Sequence, residues 1–411
     1  APSRTFAASR CAYYLHNVAE LDEPARTLVL AAADFSLVNP NTGAAPVFRT
    51  QRDADLVLGI YRHQPILVRH GGASAALGSL PSIKTWPVTY TTVLHMTNDS
   101  SLFLTRQELA SAGWKPSTGG RWERGEETAL PLLVGKSIWH FDHRANHAQV
   151  NLANMQVASS SRSSTAAERA DFDFFPEPQY WVATNTREDR RWALAFRDIT
   201  NPTNIRTAIA AIVPHRRAGN TLPLLLPDPE LSGAAAARSC SLLLATMNSL
   251  VFDYVTRQKA KWTHLNWFIL EQLPVVPPER FDDPLPAAFA ERMRKDGLMN
   301  GRHAHPTIAD FVVPQVLALS YTAHDLATFA RDLGYVDDAG NVLPPVRWDE
   351  EDRRRRRAAL DALFFHLYGL NADDAAYVLD TFPIVREQDE AAFGRYRTKD
   401  DVLALLAVFS E

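Results

Sequence analysis

Trp192-Ala-Leu-Ala-Phe-Arg-Asp-Ile199 and Arg206-Thr-Ala-Ile-Ala-Ala-Ile-Val213 flank the polar stretch Thr200-Asn-Pro-Thr-Asn204. Two short apolar runs separated by a cluster of Asn, Pro and Thr read as two strands joined by a hairpin with a longer loop. The same strand-and-turn texture extends from about Pro65 to Pro278, interrupted by Gly- and Ser-rich stretches at 71–82 and 158–165. Leu270-Glu-Gln-Leu-Pro-Val-Val-Pro-Pro278 closes it, since consecutive prolines continue neither a helix nor a central strand.

One long helix stands out within this region. Leu243, Met247, Leu250, Val251 and Tyr254 fall at helical spacing and predict a single apolar face, with Arg257, Lys259 and Lys261 at its C-terminal end. The last ~130 residues read as mostly helical. Thr322 with Asp325 has the spacing of a capping box, Leu326, Phe329, Ala330 and Leu333 form a buried stripe, and Gly334 stops it. Leu360, Leu363, Phe364, Leu367 and Tyr368 form a second stripe that ends at Gly369, after which Asn371 can cap a further helix. Toward the N-terminus, Cys11-Ala-Tyr-Tyr-Leu15 suits a buried strand, and such a strand needs a partner from later in the chain or from an upstream domain. The expectation is an α+β protein. Mixed or antiparallel strands with a long helix fill 66–280, a mostly α-helical region fills 281–411, and 1–65 is the end of an upstream domain plus linker.

A chain of 411 residues exceeds one ordinary core. Its 46% hydrophobic and 22% charged residues exclude wholesale disorder. No apolar run approaches the ~20 residues of a membrane helix, so no membrane role is expected. With two cysteines, Cys11 and Cys240, and no basic-then-apolar leader in its first residues, the chain suits a reducing, cytoplasmic setting. The net charge of −4 divides unevenly: 0 over 1–180, +5 over 181–267 and −9 over 268–411. A polyanion would be drawn to the middle segment, where each phosphate contact releases a counterion.

Three segments are candidates for chemistry. Arg257-Gln-Lys-Ala-Lys-Trp-Thr-His-Leu-Asn266 interleaves cations with a ring and amides, the groups that hold phosphates, stack on bases and read base edges. Lys259, Lys261, Trp262 and His264 lie inside it, and Arg187, Arg190, Arg191, Arg216, Arg217 and Asn220 could extend the same surface. Trp139-His-Phe-Asp-His-Arg-Ala-Asn-His147 gathers His140, Asp142, His143 and His147, enough ligand types for a metal, although no fourth ligand is apparent elsewhere. The commoner outcome for such a run is a hydrogen-bonded cluster, with Lys136, His143 or Arg144 reaching a phosphate; no metal is therefore assigned. Finally, Arg353 to Arg357 follows Asp349, Glu350, Glu351 and Asp352. Glu350–Arg354, Glu351–Arg355 and Asp352–Arg356 are then i,i+4 pairs of a solvated helix face.

The order of several segments resembles the C-terminal part of large adenine-specific DNA methyltransferases with a TaqI-like specificity domain, of type II restriction–modification or BREX- and DISARM-type phage defence. Phe35-Ser-Leu-Val-Asn-Pro-Asn-Thr42, His95-Met-Thr-Asn-Asp-Ser100, Leu133-Val-Gly-Lys136 with His140-Phe-Asp-His-Arg144, Ala195-Phe-Arg-Asp-Ile-Thr200, Asn248-Ser249 with Asp253-Tyr254, Thr263-His-Leu-Asn266 with Gln272-Leu-Pro-Val275, and Phe364-Phe-His-Leu-Tyr-Gly-Leu370 carry it in sequence. The resemblance implies that 66–280 recognises a site on double-stranded DNA. It places S-adenosylmethionine and adenine-N6 methylation on an upstream methylase domain, and no cofactor on this chain. Other defence-system subunits are further partners on this reading.

In amino-methylating enzymes an Asn/Asp-Pro-Pro-aromatic tetrapeptide holds the extruded base. Here Asn39-Pro-Asn-Thr42 lacks the second proline and the ring and reads as a turn. A glycine-rich turn after a strand, Gly-x-Ser-x-Gly and a nuclease carboxylate pair are also missing, so no catalytic residue is assigned. The rival classes are a protein-interaction scaffold docking through acidic 268–411 and a metal-dependent enzyme centred on His140, Asp142, His143 and His147.

Overall fold

The computed structural model describes residues 7–23, 27–71, 73–74, 78–79, 81–151, 158–184, 191–260, 263–300 and 305–410. The hairpin forms as read: Ala193–Phe196 pairs antiparallel with Ala210–Val213, Leu194 opposite Ile212. It belongs to a four-stranded antiparallel sheet completed by Leu224–Pro227 and Val88–Thr91. A second antiparallel sheet runs Phe103–Leu104, Trp181–Thr184, Glu127–Pro131, Trp122–Arg124, Lys115–Pro116. Smaller two-stranded pieces include a ribbon of Asn146–Val150 with Ala158–Ser163 and an N-terminal hairpin of Ala8–Ala12 with Thr27–Ala31. The first strand thus finds its partner later in the chain, but it runs Ala8–Ala12 and not Cys11–Leu15, and it lies at the surface where a buried strand was expected. Helices dominate after residue 281, as expected of an α+β chain with a helical C-terminal part.

The long helix is two helices, Gly233–Asn248 and Leu250–Lys259, bent by 64° at Ser249. Ser249 takes an extended backbone and its hydroxyl accepts from the amide of Phe252, capping the second helix. Asn248 turns its amide to the sheet: Oδ1 accepts from Ala210 N at 3.0 Å and Nδ2 donates to Ala210 O at 3.0 Å. That double bond satisfies an edge strand as another strand would. Spacing suggested one apolar face; instead every residue from Cys240 to Thr256 is buried, because the sheet covers one side of the pair and helices cover the others. No single helix among the described residues is long and apolar enough to cross a membrane.

One apolar core runs from Leu28 to Leu406 through all three expected segments. Buried Asp53 ties them together, accepting from the hydroxyls of Tyr254 at 2.7 Å and Tyr377 at 3.1 Å. Asn371 caps Ala372–Asp380 through Asp374 N, and Gly369 supplies the positive φ before it. The Thr322–Asp325 capping box does not form. Arg144 occupies the carbonyl and hydroxyl of Thr322, and Asp325 faces His143. Nor is Asn39 to Thr42 a base-holding motif; Asn39 closes its own turn by donating to Ala44 O.

Candidate nucleic-acid interface

The hairpin carries Arg197 and the loop after it toward the turn Gly135–Ser137. Arg197 donates from Nε to Gly135 O at 2.8 Å and from Nη2 to Ile138 O at 2.6 Å. Burial pushes its guanidinium down to about 10. Gly135 passes so close to the neighbouring chain that a Cβ there would meet Thr221 O at 2.7 Å. Further ties draw five loops together, those of Gly135, Thr221, Met96, Thr200 and Thr263. Gly135 N donates to Thr221 Oγ1, Met96 N to Asn220 Oδ1, Thr200 N to Thr263 O and Leu265 N to Asp198 O.

Between these loops and the Asn146–Val150/Ala158–Ser163 ribbon lies a cleft of about 600 Å³. Apolar Met96, Phe175 and Tyr180 sit beside Lys136, Asn146, Gln179, Asn201 and Thr263 on its walls. Asn146 donates to Lys136 O at 2.6 Å, which fastens the ribbon to the turn. Such a lining offers donors and acceptors on an apolar floor, the composition of a site that orients a flat polar ligand.

Of the residues singled out by sequence, Lys136 is exposed at this cleft. Asn220 lies behind it, holding Met96. His264 and Asn266 are exposed beside its Thr263 wall, with His264 Nδ1 2.7 Å from Asp198 Oδ2. Arg191 is exposed; Arg216 and Arg217 are half-buried. Arg187, Arg190, Lys261 and Trp262 lie outside the described residues.

Four others belong to the interior. Arg144 is 0% exposed and donates to the carbonyls of Asp171, Phe174, Arg169 and Thr322, so it serves the fold rather than a phosphate. His143 lies against Asp325. Arg257 donates to Asn204 O and Ile205 O and sits over the Phe382 ring. Lys259 donates to Val38 O at 2.7 Å and Gln272 O at 2.8 Å, and burial pushes its ammonium down to about 7.

The expected convergence of cations from 181–267 is therefore corrected. Arg206 bonds Asp253 at 2.6 Å and Arg238 pairs with Asp282. With Arg197, Arg257 and Lys259 they spend their donors on carboxylates and on carbonyls that loop backbone leaves unpaired. A sequence charge count cannot separate such interior donors from surface ones.

The His-rich run also disperses. His140 Nε2 bonds Ala208 O, Asp142 receives Arg169 Nε at 2.9 Å, and His147 Nε2 is 3.3 Å from Glu168. Among the described residues no group of three or more His, Cys, Asp or Glu side chains is placed to hold a metal. Asn146, Gln179 and Asn201 are not among the residues expected from sequence, since isolated amides carry no spacing signal, whereas Thr263 lies within the Arg257–Asn266 segment. No protein-family model matches the chain, and no curated protein matches it.

Proposed function

We propose that this chain recognises a short site on double-stranded DNA, as the specificity part of an adenine-N6 DNA methyltransferase of restriction–modification or phage defence. The observation that carries the reading is the cleft of about 600 Å³, walled by a two-stranded ribbon and the loops around it, with Lys136, Asn146, Gln179, Asn201 and Thr263 in its lining. Amide side chains read base edges bidentately, and a major groove admits a two-stranded ribbon. The ordered resemblance of the loop sequences supports the same assignment. On this reading, affinity comes from base contacts more than from phosphates, because the interior consumes much of the local positive charge. S-adenosylmethionine and the methyl transfer belong to an upstream methylase domain. The N-terminal hairpin, whose neighbourhood leaves Val18 80% and Val29 58% exposed, supports a protein neighbour on that side.

Gel-shift titration of the full chain with a panel of duplexes across a salt series tests the reading. Sequence-dependent affinity with a shallow salt slope supports it; equal affinity for every duplex refutes recognition.

A further inference from the structure

The five arginines from Arg353 to Arg357 do not form the solvated face their spacing predicts. Asp352–Arg356 pairs at 2.6 Å, and Arg356 also reaches Gln315. Arg355 turns to Asp296 O, and Glu351 is taken by Arg397. Arg353 is buried, donates to Leu319 O at 2.7 Å and lies over the Trp348 ring. Arg354 and Arg357 instead border a cavity of about 390 Å³, closed by Arg206, Trp139, Ile205 and Val385.

Three carboxylates share this cavity, so charge alone does not name its ligand; hydrogen-bond accounting does. Asp361 accepts from Leu250 N at 2.7 Å, Asp389 accepts from Thr398 N at 2.5 Å, and Asp401 faces Arg397 at 3.5 Å. Each carboxylate thus has a protein cation or amide of its own. Arg206 uses Nε on Asp253 and one Nη on Asn248 O. Arg354 lies 3.6 Å from both Glu351 and Asp389, too far for a hydrogen bond, and its buried Nε has no acceptor. Arg357 makes no hydrogen bond and no ion pair with the described residues. The surplus on this cavity wall is of donors, in a geometry of two guanidinium forks one helical turn apart.

We infer that this cavity is a binding site for a small molecule bearing an oxyanion, phosphate or carboxylate, received by Arg354 and Arg357. Its size falls within the ~300–1,000 Å³ of small-ligand pockets, and Trp139, Ile205 and Val385 offer an apolar wall for the rest of the ligand. The buried Nε of Arg354 is costly to keep without an acceptor, which a bound oxyanion offsets. The site shares no lining residue with the cleft and does not depend on the function proposed there.

Calorimetric titration of the full chain with inorganic phosphate and, separately, with citrate tests the inference and tells the two oxyanions apart. Saturable binding of at least one is expected, weakened roughly tenfold by Arg357→Gln and by Arg354→Gln, one charge-assisted contact each. It should be unchanged in Arg386→Gln, whose exposed side chain pairs with Glu390 away from the cavity. A ligand-free readout separates misfolding from loss of the site: Arg357→Met should raise or preserve the melting temperature, since the guanidinium has no hydrogen bond or close ion pair to lose. Absence of saturable binding at millimolar anion, binding indifferent to both variants, or a melting temperature lowered by Arg357→Met would each overturn the site.

Discussion

Nε2 of His143 lies 2.9 Å from both carboxylate oxygens of Asp325, joining residues 182 positions apart. The His143 side chain is fully buried and that of Asp325 nearly so. Burial alone would raise a carboxyl; His143, Arg144 and His215 outweigh it and hold Asp325 below its ordinary value. Removing one member of a buried pair strands the other, so Asp325→Ala should cost about 3–5 kcal/mol of unfolding free energy. Urea unfolding at pH 7 checks this, and a loss under about 1 kcal/mol, typical of a surface pair, would count against it. Because the folded carboxyl titrates below the unfolded one, its contribution is complete at neutral pH and disappears in acid. The gap between wild type and variant should narrow there.

His215 gives the pH dependence a second, separable part. Burial pushes its imidazole from 6.5 down to about 3, and Arg217 N donates to its Nδ1, which requires a neutral ring on that side. Between pH 3 and 6.5 the unfolded chain holds a proton that the native chain refuses, so stability rises with pH across that window. His215→Gln should flatten the rise by up to about 1.4 kcal/mol per pH unit. Thermal melts at intervals across the window measure it; identical profiles would show that His215 titrates normally.

Arg144 separates a structural role from a phosphate contact. Its bonds to four carbonyls predict that Arg144→Met destabilises the chain by about 3 kcal/mol or more, and that Arg144→Lys, lacking the planar fork, does not restore it. DNA affinity per folded molecule should not change. Parallel unfolding and binding titrations decide, and a variant of native stability with weakened DNA binding would reverse the assignment.

Gly135 offers a way to disturb the cleft without replacing any of its polar side chains. In Gly135→Ala the new methyl meets Thr221 O at 2.7 Å, a backbone atom that cannot rotate away. The Arg197 anchor to Gly135 O must shift with it. A loss of about 1–3 kcal/mol in stability and weaker DNA binding are expected; binding and melting that match wild type would show that this turn does not shape the site.

How far the sequence reveals this arrangement depends on whether a residue acts through local periodicity or through distant contacts. The hairpin around Thr200 to Asn204, the cap at Asn371 and the stop at Gly369 were legible, because each is set within a few residues. The break at Ser249 was not, since it depends on Asn248 pairing with Ala210, 38 positions earlier. Charge misled for the same reason. Arg197, Lys259 and Arg257 resemble surface cations in sequence, and only folding shows which carbonyls they serve. The run at Arg353 to Arg357 read as one face because i,i+4 acids were present. Helix packing instead divides it among core, surface and cavity.

Selection from a randomised duplex pool by the full chain tests the central reading most directly. Enrichment of one short sequence is expected, lost per folded molecule in an Asn146→Ala, Asn201→Ala double variant. A pool that remains random after successive rounds, or an enriched sequence to which the double variant is indifferent, would contradict it.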